Sequence, residues 1–311
     1  MTVSERSPVA SVVDRARALY GLSRGTQAVL SIAQPLVAAL LADGSPSPGR
    51  LALATVGGLA GFLAVFATND LMDAGVDGRR FATDLRADTG PDIDSAGARH
   101  PLAQGLLTRR LALGWIAGLS VLALVIGALL NPVCVLLFLL AALLEVVYCR
   151  LATVTPYKFL LSGVMVAVGA SAGWFAFRTS VDPLPLGLFV LWMFAWEIGG
   201  RNIPNDLADV AEDVRLGIRT VPVVYGARPA VWLAGGFLLV AFAASGVLMV
   251  VAWPVFGVVG LVGTLAVGVL TLLRPVLLLV RDPGAALPAF NLATFHPVGV
   301  LAALVAALLL R

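Results

Sequence analysis

The chain has 311 residues, of which 59% are hydrophobic and 13% charged, with a net charge of +3 and a mean hydropathy of +0.96. Soluble domains carry about 25% charged residues, so this balance excludes an ordinary soluble enzyme. The basic residues are scattered among loops rather than gathered in one patch, so no nucleic-acid partner is expected. What remains is an all-α polytopic membrane protein, because in lipid only helices or closed barrels satisfy the backbone and the apolar runs are too long for barrel strands.

Residues 1–24 read as a cytoplasmic N-terminal segment and residues 25–311 as a single transmembrane domain. Glu5, Arg6, Asp14, Arg15 and Arg17 precede any sustained apolar run, unlike a cleavable signal. Windows of about 19 residues predict nine spans, near 25–42, 51–68, 111–130, 132–149, 159–177, 184–204, 230–251, 254–273 and 291–310. Pro132, Pro254 and Pro275 fall at span boundaries, where a residue without an N–H is tolerated. The first span has Gln34-Pro35 as its main polar feature, and the loop from Gly78 to Arg110 is the longest.

The second span closes on NDLMDAGVD, Asn69 to Asp77, and the sixth on NDLADVAED, Asn205 to Asp213. In each copy the aspartates fall at i, i+3 and i+7: Asp70, Asp73 and Asp77, then Asp206, Asp209 and Asp213. On an α-helix these positions share one face. A single acidic helix end is commonly just solvated. Two copies with one spacing, each closing an apolar run, are poorly explained that way, and three like charges near a membrane need an offset. Hard divalent cations suit clustered carboxylate oxygens. The copies stand 136 positions apart, which reads as a duplicated helix pair with its motifs facing across a central cavity.

Eighteen of the 21 basic residues fall on the motif side of the nine spans, and only Arg50, Arg178 and Arg311 on the other. The positive-inside rule therefore predicts a cytoplasmic N-terminus, cytoplasmic motifs and an outside C-terminus.

The six aspartates are the predicted Mg²⁺ ligands. Mg²⁺ usually binds through one or two carboxylates plus substrate phosphates, so a phosphorylated ligand is expected. A diphosphate fits best, since metal ions stabilise it as a leaving group. A site opening among apolar helices gives that ligand a lipid tail. Lys158, the only lysine, starts the fifth span, and Arg79, Arg80, Arg201, Arg215 and Arg219 flank the motifs. Arg201 leads the arginines because it lies one turn before Asn205, although topology-setting charge explains any one of them. Phe62, Phe66, Trp174, Phe175, Trp192, Phe194 and Trp196 are candidate cavity walls, able to stabilise a developing cation or simply to pack. Glu145 and Glu197 are intramembrane carboxylates and so functional suspects. Glu197 is read as a base or acceptor ligand, Glu145 as pairing with Arg150 or reaching the interface. Gly163, Gly169, Ala170 and Gly173 are the small residues that would set cavity depth. His100 and His296 are lone histidines, more often structural. Cys134 and Cys149 show neither metal spacing nor a disulfide framework, and no phosphate-binding GxxxxGK[ST] occurs.

These residues resemble the UbiA superfamily of intramembrane prenyltransferases. Asn69-Asp70-x-x-Asp73-x-x-x-Asp77 is similar to its first motif and Asp206-x-x-Asp209-x-x-x-Asp213 to its second. Asp213 through Arg215, Gly217, Arg219, Thr220 and Pro222 resembles the tail that follows, ending at Gly226. His100-Pro101-Leu102 with Gly105 resembles the loop element RPLxxG, and Tyr148, Pro156 and Lys158 the element before the fifth span. The resemblance implies nine helices around a lipid-open cavity and Mg²⁺-dependent ionisation of an isoprenyl diphosphate. Together with the residue reading it gives the expected catalytic set Asp70, Asp73, Asp206, Asp209 and Glu197. The expected substrate contacts are Asn69, Asn205, Lys158, Arg201, Arg79, Tyr148 and Trp196. Most members then alkylate an aromatic acceptor. Others use a glycerol-phosphate lipid or a porphyrin, or cyclise the chain as terpene synthases without an acceptor. Transfer to an acceptor, an aromatic one by preference, is the leading expectation and terpene cyclisation the alternative. Arg24-Gly25 stands where many members have Arg-Pro, and His100 where they have Arg. These departures bear on the acceptor and leave the diphosphate end intact. A transporter would carry its charges near the midplane rather than at helix ends.

Overall fold

A computed structural model describes residues 12–82, 98 and 101–311, with only the backbone described for 73–82. Among the described residues there is no strand, and nine helical stretches are long and apolar enough to cross a membrane. They run Gly25–Ala42, Pro48–Met72, Arg109–Leu130, Pro132–Leu151, Pro156–Phe175, Pro183–Ala208, Ala227–Val251, Trp253–Arg281 and Pro283–Leu309. All nine predicted spans are found. The largest differences are at the eighth and ninth, which together extend into residues 274–290 read as a loop.

Helix α1 (Val12–Leu22) precedes the spans. It buries Ala18 and Leu22 against Ala67, Leu107 and Ala112, so α1 is docked on the bundle. The first span is two helices, α2 (Gly25–Ser31) and α3 (Ala33–Ala42). Pro35 cannot donate to the Ser31 carbonyl, so the ladder breaks there. Helix α4 (Pro48–Ala82) is unbroken over 35 residues and carries the whole first motif. Then come α5 (Arg109–Leu130), α6 (Pro132–Leu151) and α7 (Phe159–Phe175).

The sixth span is composite. Helix α8 (Pro183–Trp196) runs into a π-helical turn, Glu197–Asn202, and then α9 (Ile203–Ala208). Asp209 leaves helical geometry with φ −102° and ψ 9°, and α10 (Val210–Leu216) follows. Next are α11 (Val221–Tyr225), α12 (Ala227–Val251) and α13 (Trp253–Gly268), the last kinked at Gly257 where φ is 53°. A second π turn, Val269–Leu273, leads into α14 (Arg274–Arg281), with α15 (Ala286–Thr294) and α16 (His296–Leu309) closing the chain. Each π turn ends two residues before a proline, Pro204 or Pro275. The proline removes an N–H from the ladder, and the wider turn absorbs the mismatch.

The core is aromatic. Phe189, Trp174, Trp192 and Trp196 are all fully buried. Trp192 Nε1 donates to His296 Nε2 at 3.0 Å, and His296 Nδ1 pairs with Thr271 Oγ1 at 2.8 Å. An indole only donates, so Nε2 is the acceptor and Nδ1 carries the proton. The Thr271 hydroxyl in turn donates to Val267 O at 2.6 Å. His296 thus bolts α8, the second π turn and α16 together, the structural role expected of a lone histidine. Backbones approach closely at α7, where a Cβ on Gly173 would stand 1.8 Å from Pro35 O.

Candidate active site

The polar residues of the bundle collect where α2, α4, α6, α7 and the first π turn meet. From the first motif, Asn69 Nδ2 donates to Glu145 Oε1 at 2.6 Å and contacts Cys149 Sγ at 3.5 Å. Arg24 donates to Asn69 Oδ1 at 3.4 Å. Arg24 holds a left-handed φ of 44°, the only non-glycine residue described with positive φ. One turn along α6 from Glu145, the Tyr148 hydroxyl accepts from Lys158 Nζ at 3.2 Å and from Asn202 Nδ2 at 3.0 Å. Lys158 also lies 4.7 Å from the Tyr148 ring centroid, a cation–π contact. Its ammonium lies in the electrostatic reach of Asp206 and Asp213. The end of α6 therefore joins the two motifs, through Asn69 on one side and through Tyr148, Lys158 and Asp206 on the other.

Asp70 is 4% exposed and Asp206 6%. Asp213 is buried, and its Oδ2 accepts from Thr220 Oγ1 at 3.2 Å. The turn that delivers Thr220 is a Schellman motif. Gly217 takes φ 70°, its N–H bonds Val214 O, and the Ile218 N–H bonds Asp213 O at 2.9 Å. The tail after the second motif thus anchors its third aspartate.

Arg201 is buried. It donates to Gln27 Oε1 and lies 3.7 Å from Glu197 Oε2. Its guanidinium packs over Trp196 and Phe290 at 5.6 and 5.7 Å. Ser162 donates to Glu197 Oε1 at 2.8 Å. Glu197 Oε2, Arg201 Nε, Asn202 Oδ1 and Gln34 Oε1 are buried without a hydrogen-bond partner. Such groups cost about 1–3 kcal/mol each when left unmet, so gathering them at one site fits a place kept for a ligand.

A cavity of about 180 Å³ opens from this cluster into the bundle. Glu145, Glu197 and Arg201 line its polar end, and the walls come from α3, α4, α5, α6 and α7. Phe62 and Phe66 line it as predicted, as do Gly169 and Gly173. Gly163 packs instead against Phe194 and Ile198, and Ala170 is fully buried away from the lining. The tryptophans differ from expectation. Trp174 donates to Ser180 O, Trp192 to His296 and Trp196 to Ala293 O. None of them, nor Phe175 or Phe194, lines the cavity. Trp196 reaches the site only as the surface beneath Arg201.

Other expectations also shift. Asn205 is exposed and donates to Asp209 Oδ2 at 3.2 Å, so it does not repeat the contacts of Asn69. Arg201 points to Gln27, away from Asn205. Glu145 binds Asn69 rather than pairing with Arg150. The side chains of Asp73, Asp77, Arg79 and Arg80 lie outside the described residues, as does His100. Arg24, Gln27, Ser162 and Asn202 join the site unannounced. One signal was available: Gln27, Ser31 and Gln34 recur at steps of four and three, a polar stripe along an apolar helix.

Among the described residues no three His, Cys, Asp or Glu side chains form a metal site by themselves. The acidic donors present, Asp70 and Asp206, are buried hard oxygens. That set suits an ion completed by water and substrate oxygens.

The bundle and its site thus define an integral membrane protein with an acidic, polar head site on an apolar chamber. Residues 31–296 match the model of the UbiA prenyltransferase family, and the chain belongs to that family. It is 29% identical over 242 residues to digeranylgeranylglyceryl phosphate synthase of Methanoregula boonei, covering 74% of this chain and 76% of that one. It is 30% identical over 189 residues to 4-hydroxybenzoate octaprenyltransferase of Nitrosomonas eutropha, covering 60% of each. Among solved structures it resembles the apo structure of a UbiA homolog from Aeropyrum pernix, with TM-score 0.71, 19% identity and coverage of 90% and 97%. It also resembles a UbiA homolog from Archaeoglobus fulgidus bound to DMAPP and Mg²⁺, with TM-score 0.66, 15% identity and coverage of 94% and 100%. The chain is an intramembrane prenyl-transferring enzyme.

Proposed function

We propose that the enzyme takes an isoprenyl diphosphate and Mg²⁺ at the polar cluster and transfers the prenyl group to an aromatic acceptor. The observation that carries this reading is the cluster of buried, hydrogen-bond-hungry groups at one end of an apolar chamber. The DMAPP and Mg²⁺ bound to the Archaeoglobus homolog support the donor and the ion. The 4-hydroxybenzoate relative supports an aromatic acceptor.

In this reading Asp70 and Asp206 hold the ion, with Asp73, Asp77, Asp209 and Asp213 completing the two motifs. Bound Mg²⁺ supplies charge neutralisation that makes the diphosphate a better leaving group. Lys158, fixed by Tyr148, offers a point charge to the phosphate, and Arg201 a planar donor pair. Asn69 and Asn202 orient the groups around them. Arg79 adds a phosphate contact and Asn205 aligns Asp209. Phe62 and Phe66, on the chamber wall, would stabilise the allylic cation left when the carbon–oxygen bond breaks and the diphosphate departs. Glu197, held by Ser162 and lying near Arg201, orients the acceptor and takes its proton. The cluster faces the cytoplasm of the cell membrane, as the basic residues indicate. Residues 25–311 form one such domain.

The test is to incubate the purified protein with geranyl or farnesyl diphosphate and Mg²⁺, with and without 4-hydroxybenzoate. Prenylated arene formed only with the acceptor is the expected result. A cyclic terpene formed without acceptor would instead establish the cyclase alternative.

A further inference from the structure

At the far end of the chamber the helices are tied together by polar groups that no part of the reaction uses. Arg50, in the first turn of α4, donates from Nε to Ala176 O at 2.6 Å and from Nη2 to Leu130 O at 2.9 Å. Its guanidinium stacks 5.8 Å from the Phe177 ring centroid. Beside it Asn131 Nδ2 donates to Phe175 O at 2.9 Å while its Oδ1 caps α6. These bonds meet carbonyls that helix ends leave open, and they tie α4, α5, α6 and α7 together at one level. Ala54, Leu130, Cys134 and Ala176 line the cavity just above that floor.

We propose that this floor limits the donor to about three isoprene units, so that farnesyl diphosphate is the longest chain the chamber holds extended. The inference rests on the prenyl-diphosphate reading of the head site. Glu145 at the head end lies eleven helical steps from Cys134 at the floor, a depth of about 16 Å at the α-helical rise. An extended carbon chain with bonds of about 1.5 Å advances about 5 Å per five-carbon unit. Three units fill the depth. A fourth must fold back or leave sideways, and an octaprenyl tail cannot be contained.

The experiment measures binding of the S-thiolodiphosphate analogues of dimethylallyl, geranyl, farnesyl and geranylgeranyl diphosphate to the full chain in nanodiscs with Mg²⁺. Affinity should rise about tenfold or more per unit through farnesyl, as apolar area is buried, and then stop rising. Ala54→Phe raises the floor and should cost farnesyl about tenfold while leaving geranyl unchanged. Leu130→Ala lowers it and should gain geranylgeranyl about tenfold. If both variants keep the wild-type order of chain lengths, or affinity still climbs at geranylgeranyl, the tail leaves between helices and the floor is no ruler. Mg²⁺-dependent binding by no analogue at all would remove the donor reading itself, and this inference with it.

Discussion

The two acidic motifs share a spacing and fold differently. The first rides one unbroken 35-residue helix, α4, as the i, i+3, i+7 pattern predicts. The second is cut at Asp209, which caps both α9 and α10. A π turn precedes it, and Pro204 stands between. The asparagines diverge accordingly. Asn69 is inside the network, tied to Glu145 and Arg24, whereas Asn205 is exposed and, among the described residues, bonds within its own motif. A repeated spacing therefore fixes which residues recur, and the backbone between them decides where they point. The unbroken copy presents its asparagine to the site. The broken copy spends its irregular backbone on turning Glu197, Arg201 and Asn202 inward.

The largest effect comes from removing one aspartate of either copy. Asp70→Ala and Asp206→Ala should each lower Mg²⁺-dependent diphosphate release by about 10³-fold or more, the scale of losing a central charge stabiliser. Asp206 lies within the electrostatic reach of the buried ammonium of Lys158, so Asp206→Ala should also lower the melting temperature by leaving that charge less compensated. Turnover surviving in either variant would defeat the shared-metal reading.

Next in size is the contrast between the asparagines. Asn69→Ala should reduce kcat/KM about 100-fold, because it deletes the amide that donates to Glu145 and accepts from Arg24, the link between α2, α4 and α6 at the site. Asn205→Ala, at an exposed position, should change it by less than about threefold. Equal losses would mean that both motifs present their asparagines to substrate. Tyr148→Phe is milder. It keeps the ring under Lys158 but removes the acceptor that Lys158 and Asn202 share. A rise in KM of about tenfold with kcat nearly unchanged is expected in a steady-state assay.

The spans were legible because hydropathy alone sets them, and the residue pattern around Tyr148, Lys158 and both motifs pointed to the polar cluster. The rest was hidden for physical reasons. The tryptophans suggested cavity walls, yet an indole N–H buried in lipid-depth packing needs an acceptor. The carbonyls of Ser180 and Ala293 and the ring of His296 supply it. The π turns follow from proline positions, Pro204 and Pro275, each two residues downstream. That sign was present and is weaker than the hydropathy around it. Gln27 and Asn202 became site residues because the first π turn rotates Arg201 toward α2 and Asn202 toward α6. A helical wheel drawn through that turn places them wrongly.

The smallest effect tests the anchor of the second copy's third aspartate. Asp213 takes a hydrogen bond from Thr220, which is fully buried, and the Schellman turn at Gly217 sets the distance between them. Thr220→Val keeps the shape and deletes the donor. The net contribution of a hydrogen bond is about 1 kcal/mol, so apparent Mg²⁺ affinity should weaken about fivefold, with little change in kcat at saturating Mg²⁺. Gly217→Ala acts on the same aspartate through the backbone. A residue with a Cβ held at φ 70° costs about 1–2 kcal/mol, so melting temperature should fall together with Mg²⁺ affinity. If Thr220→Val leaves the Mg²⁺ titration unmoved while Gly217→Ala shifts it, the turn positions Asp213 without help from the hydroxyl. If neither shifts it, Asp213 serves the fold, and the ion rests on the first two aspartates of the broken copy.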